Sequence, residues 1–355
     1  MSGNMEQRTD FQWDILEEYL RKIDEPRRIY PNGKKIEVVF TIKALNMLLL
    51  RTEGPGDINE VTLPESKLSV PVIQPQKLMA VVRRRMLHLL RLHRDYGTDL
   101  KPYIEKASEL GFTKASEHLK SGWNCSIQPP LAEGGEKATD IGMDGYCPAC
   151  TIFGVALTSK EWSKISNTMS LGLKTRVHFD PAFAVSRKVQ PETHNKVTEG
   201  IMSSTGGALF TEIHVLPGTT FVGRVVLHDL TKPELLTTLY SLITSEEIGG
   251  RAGIYGTIKI ELLGMKGGFY SITSSLDLAD EIAKNGKEMP SEVRFYLSNR
   301  LKELGFVSLS NQDIIKLVDP KNDKDTFTEL WRSSIEFVRQ LHDNIMMISG
   351  KYKGK

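Results

Sequence analysis

The sequence predicts an α+β fold whose core runs strand, helix, strand, strand, helix, strand and carries long insertions. Three observations predict it. Residues 77–94, KLMAVVRRRMLHLLRLHR, put Leu78, Val81, Val82, Met86, Leu89 and Leu90 on one face at helical spacing. Two alternating runs, 208–216 and 219–227, flank the turn dipeptide Pro217-Gly218 and read as a hairpin. Residues 232–264 then give an amphipathic helix, a turn rich in glycine and a closing β run in which Ile258, Ile260 and Leu262 alternate with polar residues.

The remaining elements follow in chain order. Residues 10–24 predict a short helix with Phe11, Ile15, Leu16 and Leu20 on one side. Pro31, Asn32 and Gly33 mark a turn. Residues 36–50 are β-like, with helix open at the ALNMLLL end. Residues 51–71 hold acidic residues and breakers, and no stable element is expected there. A helical insertion over 99–121 is broken at Gly111 and Phe112; 123–146 reads as loop and 151–157 as a short strand. Residues 169–189 read as one side of an extended β-hairpin arm, with 195–204 as its tip or return. The arm carries Lys174, Arg176, His178, Arg187 and Lys188 among few apolar residues, so it either reaches a partner or is solvated. Helices are expected at 276–284, 292–304 and 325–349, before a basic tail, GKYKGK. This is the ferredoxin-like (RRM-like) βαββαβ order. The core would be 34–95 and 205–264, with a lid insertion at 96–168, a thumb at 169–204 and a helical accessory region at 265–355.

Composition sets limits. The 355 residues are 40% hydrophobic and 25% charged, ordinary for a folded chain. The formal net charge of +2 means that a nucleic-acid surface must be a local patch. Three cysteines in this length make no disulfide framework and suit a reducing compartment. The N-terminus lacks a signal peptide's apolar core, and no apolar run reaches the roughly 18 residues of a membrane span. A soluble, cytoplasmic protein is expected.

Cys147 and Cys150 form a CxxC, the spacing of a zinc knuckle. A structural zinc takes four ligands. Cys125 and His118 complete a His-Cys₃ set, with His178 as the rival fourth ligand; the alternative is free thiols in a turn. Gly249, Gly250 and Arg251 make the glycine turn either a cradle for phosphate or a plain connection. No Ser-His-Asp arrangement, HExxH or Walker loop is present.

Three stretches carry a family resemblance. GGRAGIYG leads into the closing strand; CPACTIFG spans 147–154; and TRVHFDPAFAVSRKV precedes GALFTEIHVLPGTTFVGRVVL. Their order and form resemble the RAMP superfamily of CRISPR proteins, and within it the type I-D Cascade backbone subunits of the Cas-seven family. The resemblance implies an RNA-binding scaffold that holds CRISPR RNA by its sugar-phosphate backbone and lines up with other copies of itself, other Cascade subunits and target nucleic acid. It implies guide contacts from the basic helix (Lys77, Arg83, Arg84, Arg91), from the arm (Lys174, Arg176, Arg187, Lys188) and from Gly249, Gly250 and Arg251. It also places Asp57, in the acidic loop, where RNA-cleaving relatives carry a catalytic aspartate. Two alternatives stay open: a nuclease of the same fold acting through Asp57, and a stand-alone zinc-stabilised RNA-binding module.

Overall fold

The computed structural model describes residues 13–51, 58–95, 99–112, 123, 125–127, 144–155, 172–195, 209–250, 253–321 and 323–348. Its centre is β1 (Lys35–Ala44), rich in β-branched residues and buried on both sides from Ile36 to Ile42. β1 pairs antiparallel with β8 (Thr220–His228) on one side and with β9 (Ile258–Gly268) on the other, with a register shift at Val39/Phe40. β4 (Val177–Phe179) and β5 (Ala182–Ala184) both pair with β8. β2 (Glu60–Thr62) and β3 (Ser69–Ile73) extend the sheet beyond β5, and β10 (Val307–Ser308) caps it beyond β9. The order is β10-β9-β1-β8-β5-β3-β2.

Helices cover both faces. α2 (Pro75–Asp95) and α5 (Lys232–Ile243) pack together on one face, α5 against β9 and α2 against β4. α6 (Ser275–Lys284) and α7 (Pro290–Glu303) pack on the other, against β8, β5 and β9. The short α1 (Asp14–Glu17) lies on β9, while α3 (Lys101–Glu109) and α4 (Pro148–Phe153) lie against the long α9 (Lys324–Ile348). α8 (Asn311–Ile315) completes the set, beside α5. Among the described residues no helix is long and apolar enough to cross a membrane.

Several expectations need correction. The two runs around Pro217-Gly218 do not pair with each other. β7 (Leu209–Val215) pairs with β6 (Val189–Asn195) as a separate two-stranded sheet, and β8 joins β1. Gly218 N–H donates to Ala44 O at 2.8 Å, so the turn carries the chain from one sheet to the other. The arm is therefore β6–β7. Within 169–189 the strands at 177–179 and 182–184 belong to the main sheet, where Val177, Phe179, Ala182 and Phe183 are buried. Pro181, which lacks an N–H, separates β4 from β5. The supposed loop 51–71 contains β2 and most of β3. Residues 148–153 form a helix instead of a strand, with Pro148 at its first turn, where proline is tolerated. The N-terminal helix is a single turn, and ALNMLLL is not helical; Leu48 bridges Val215.

Candidate nucleic-acid interface and metal site

α2 is buried on two faces. Leu78, Val82, Met86 and Leu89 face the core. Arg83, Leu87, Arg91 and Arg94 fall within about 80° of one another at 100° per residue and form a second face. This second face holds the cysteine module. Arg83 Nη2 lies 3.7 Å from Cys150 Sγ, Arg91 Nη2 donates to Cys125 O at 2.6 Å, and Arg94 Nη1 donates to Trp123 O at 2.7 Å. α9 closes the other side: Ser334 Oγ donates to Tyr146 O at 2.6 Å, and Trp331 meets Trp123 edge-on at 5.2 Å.

Inside the module, Cys125, Asp144, Cys147 and Cys150 are buried, and one ligand atom from each lies within 4.8 Å of the others. The group could hold a metal ion. Its fourth member is Asp144, which the sequence reading missed; the signal was an acid three residues before the CxxC. His118 lies outside the described residues. His178 is not part of the group: it sits on β4 beside His228, ring centroids 4.5 Å apart. The donor chemistry fits a thiophilic ion. Cys125 and Cys150 sulfurs are 3.6 Å apart, too far for a disulfide and close to the edge of a tetrahedron with bonds of about 2.3 Å, which is about 3.8 Å.

Electrostatics agree. Burial, and then the neighbouring Cys150 sulfur, pushes Asp144 up to about 7. It does so although Asp144 accepts from the Tyr146 and Cys147 amides at 3.0 and 2.9 Å and from Trp123 Nε1 at 2.8 Å. Burial also raises the Cys125 and Cys147 thiols. Burial opposes ionisation at Cys150 too, but contacts from Cys125 and Cys147 and the Arg83 charge pull that thiol down. A bound cation would favour the ionised form of all four groups.

The rest of the predicted basic set divides in two. Lys77 Nζ donates to Arg51 O. Gly250 N–H donates to Leu49 O at 2.9 Å, and Leu48 bridges Val215 at the base of the arm. Residues 48–51 thus gather the start of α2, the glycine turn and the arm. A Cβ on Gly249, at φ +102°, would meet Leu49 O at 2.8 Å, so only glycine lets the turn lie this close. Burial and the Arg51 charge lower the Lys77 pKa. Arg187 and Lys188, at the arm's base, pair with Glu60 at 3.0 Å and Glu288 at 3.3 Å. Arg84 is exposed on α2, and Arg85 reaches Thr244 at the end of α5 at 2.9 Å. Arg251 and Asp57 lie outside the described residues.

Lys174 and Arg176 do not join this group. His228 N–H donates to Arg176 O, so they stand at the far end of β8, about 26 Å from Thr220 at the ordinary strand rise. Arg176 is committed to structure. Its guanidinium makes paired bonds to Glu234 at 2.8 and 3.0 Å, and Arg28 binds the same carboxylate.

A family model described as "Csc2 Crispr" matches residues 16–355. The crystal structure of Thermofilum pendens Csc2 is 50% identical, with a TM-score of 0.77, over 94% of this chain and 96% of that one. A chain of a structure titled "CRISPR RNA-guided surveillance complex, pre-nicking" aligns at 10% identity and a TM-score of 0.42, over 77% of this chain and 90% of that chain. A chain of a "CRISPR RNA-guided surveillance complex" aligns at 10% and 0.43, over 78% and 87%. No curated protein sequence matches the chain.

Proposed function

The chain belongs to the Csc2 CRISPR family, and from that premise we propose that it is a guide-RNA-binding backbone subunit of a type I-D Cascade complex. Copies line up along one CRISPR RNA as a helical filament, beside other subunits and the target strand. What supports this most is the gathering at residues 48–51, where Lys77, the glycine turn and the arm meet. A strand held there meets a lysine cation and, at Gly253, a turn position with open space where a side chain would be. No base edge needs to be read, so binding is salt-dependent and indifferent to sequence.

The sheet order supports a ferredoxin-like core, with β4 and β5 together in the second-strand position: β1, α2, β4/β5, β8, α5, β9. The lid and the accessory helices are insertions and additions around it. We read the cysteine group as a structural zinc site. Zinc would supply cross-linking only; Arg83, Arg91 and Arg94 dock the module on α2.

Titrating the protein against unstructured RNAs of one length and different sequence tests the reading. Affinities within about threefold of one another, falling steeply with salt, are expected. Binding confined to one sequence, or insensitive to salt, would overturn it.

A further inference from the structure

On the opposite face of the sheet from Lys77, a groove of ≈450 Å³ runs between α7 and the ends of β1 and β9. Thr41 and Lys43 line it from β1, Lys259 and Glu261 from β9, and Arg294 and Phe295 from α7. Strand alternation puts Thr41 and Lys43 on this face and Phe40 and Ile42 on the other.

Three features single the groove out. First, its charge is unbalanced. Lys259 and Arg294 share one carboxylate, Glu261, at 2.7 and 3.9 Å. Lys43 is exposed, and no ion pair holds it among the described residues. Second, Phe295 is 72% exposed, while α7 buries Val293, Leu297 and Leu301 instead. The ring adds little to the fold and is presented to solvent. Third, the groove opens at the end of the sheet that carries the glycine turn. Leu45, which lines it, donates its N–H to Thr257 O at 2.9 Å, and Asn46 Nδ2 donates to Ile254 O at 3.2 Å.

We propose that this groove is a second binding site for single-stranded nucleic acid, separate from the guide track. Lys43 and Arg294 contact phosphates, and Phe295 stacks on a base. An exposed aromatic ring with cations on its groove side is an arrangement that holds single strands without reading them. The volume is in the range of small-ligand sites, which suits a nucleotide or two of a strand passing through. The proposal rests on the guide-binding reading in one respect: the second strand is one that lies near an already bound guide.

The test uses the full chain assembled on guide RNA, challenged with a fluorescein-labelled dT₁₂ as the probe. Guide retention is read in parallel by a second label. Lys43→Glu with Arg294→Glu, and separately Phe295→Ala, are compared with the parent, each checked by thermal melting. The expected result is a loss of dT₁₂ affinity of about tenfold or more in both variants, since a base–aromatic stack contributes measurably by itself, with guide retention unchanged. Unchanged dT₁₂ affinity in both variants overturns the proposal. So does a change in oligomeric state of the RNA-free charge variant with dT₁₂ affinity intact, which would assign the groove to another copy of the chain. Failure of guide binding in the parent protein would sink the guide-track reading instead, and the second readout separates the two.

Discussion

Replacing Glu234 by glutamine removes one negative charge from between two guanidinium groups while keeping the side chain's shape. In the parent protein the Glu234 carboxylate accepts from Arg176 at 2.8 and 3.0 Å, from Arg28, and from the Thr231 amide at 2.9 Å. Arg28 is 2% exposed, and both guanidiniums lie over the Phe337 ring, at 5.3 and 4.8 Å. Without the carboxylate, two cations remain in a site that water barely reaches. Breaking a buried pair by removing one partner costs about 3–5 kcal/mol. Glutamine keeps one acceptor oxygen, so the lower half of that range is expected. Urea denaturation at pH 7 measures it as a shift in midpoint at constant slope.

The pH dependence adds an independent check. Burial by itself would raise the Glu234 pKa, but the charges of Arg176 and Arg28 outweigh it and hold the group far below its ordinary 4.5. A depressed folded pKa contributes stability that is fully present above the unfolded value and is lost as pH falls toward the folded one. The difference between parent and Glu234→Gln should be flat from neutral pH down to about pH 5.5 and shrink below about pH 4.5. A cost under about 1 kcal/mol at pH 7, or a difference that persists unchanged in acid, would refute the account of this network.

Three further outcomes are expected. Metal analysis of the protein purified without chelator should find about one zinc per chain; Cys150→Ser should lose it, and Asp144→Asn should weaken retention against a chelator. Arg91→Ala should expose the amides around Cys125 to hydrogen exchange and destabilise the module by about 1–3 kcal/mol, because the Cys125 carbonyl loses a charged donor. Lys77→Glu should weaken RNA binding and lower the slope of log affinity against log salt by about 0.7 for each phosphate that is no longer neutralised; an unchanged slope would remove Lys77 from the track.

The second helix and the closing strand are legible in the sequence because their apolar residues repeat at the period of the element they form. β1 is legible for its run of β-branched residues. The partner of β8 is not. Thr219–Leu227 has the look of a hairpin arm because Pro217-Gly218 precedes it, yet it pairs with β1 on one side and with residues 177–184, whose polar neighbours disguise them, on the other. Arg176 looks like a surface cation until Glu234, 58 positions away, is seen to neutralise it. The same limit applies to the α2 arginines. A helical wheel shows which face they share but not that this face is covered by the cysteine module. The CxxC announces a group that could hold a metal ion, whereas Asp144 is marked in the sequence only as an acid three residues ahead of it, and the fold brings its carboxylate to the sulfurs.

The central claim is that many copies of this chain grip one RNA without reading it. Native mass spectrometry of the protein on RNAs of increasing length tests it most directly. The account predicts that bound copies rise in steps with RNA length, at equal increments and for any sequence. One copy per RNA at every length would contradict it.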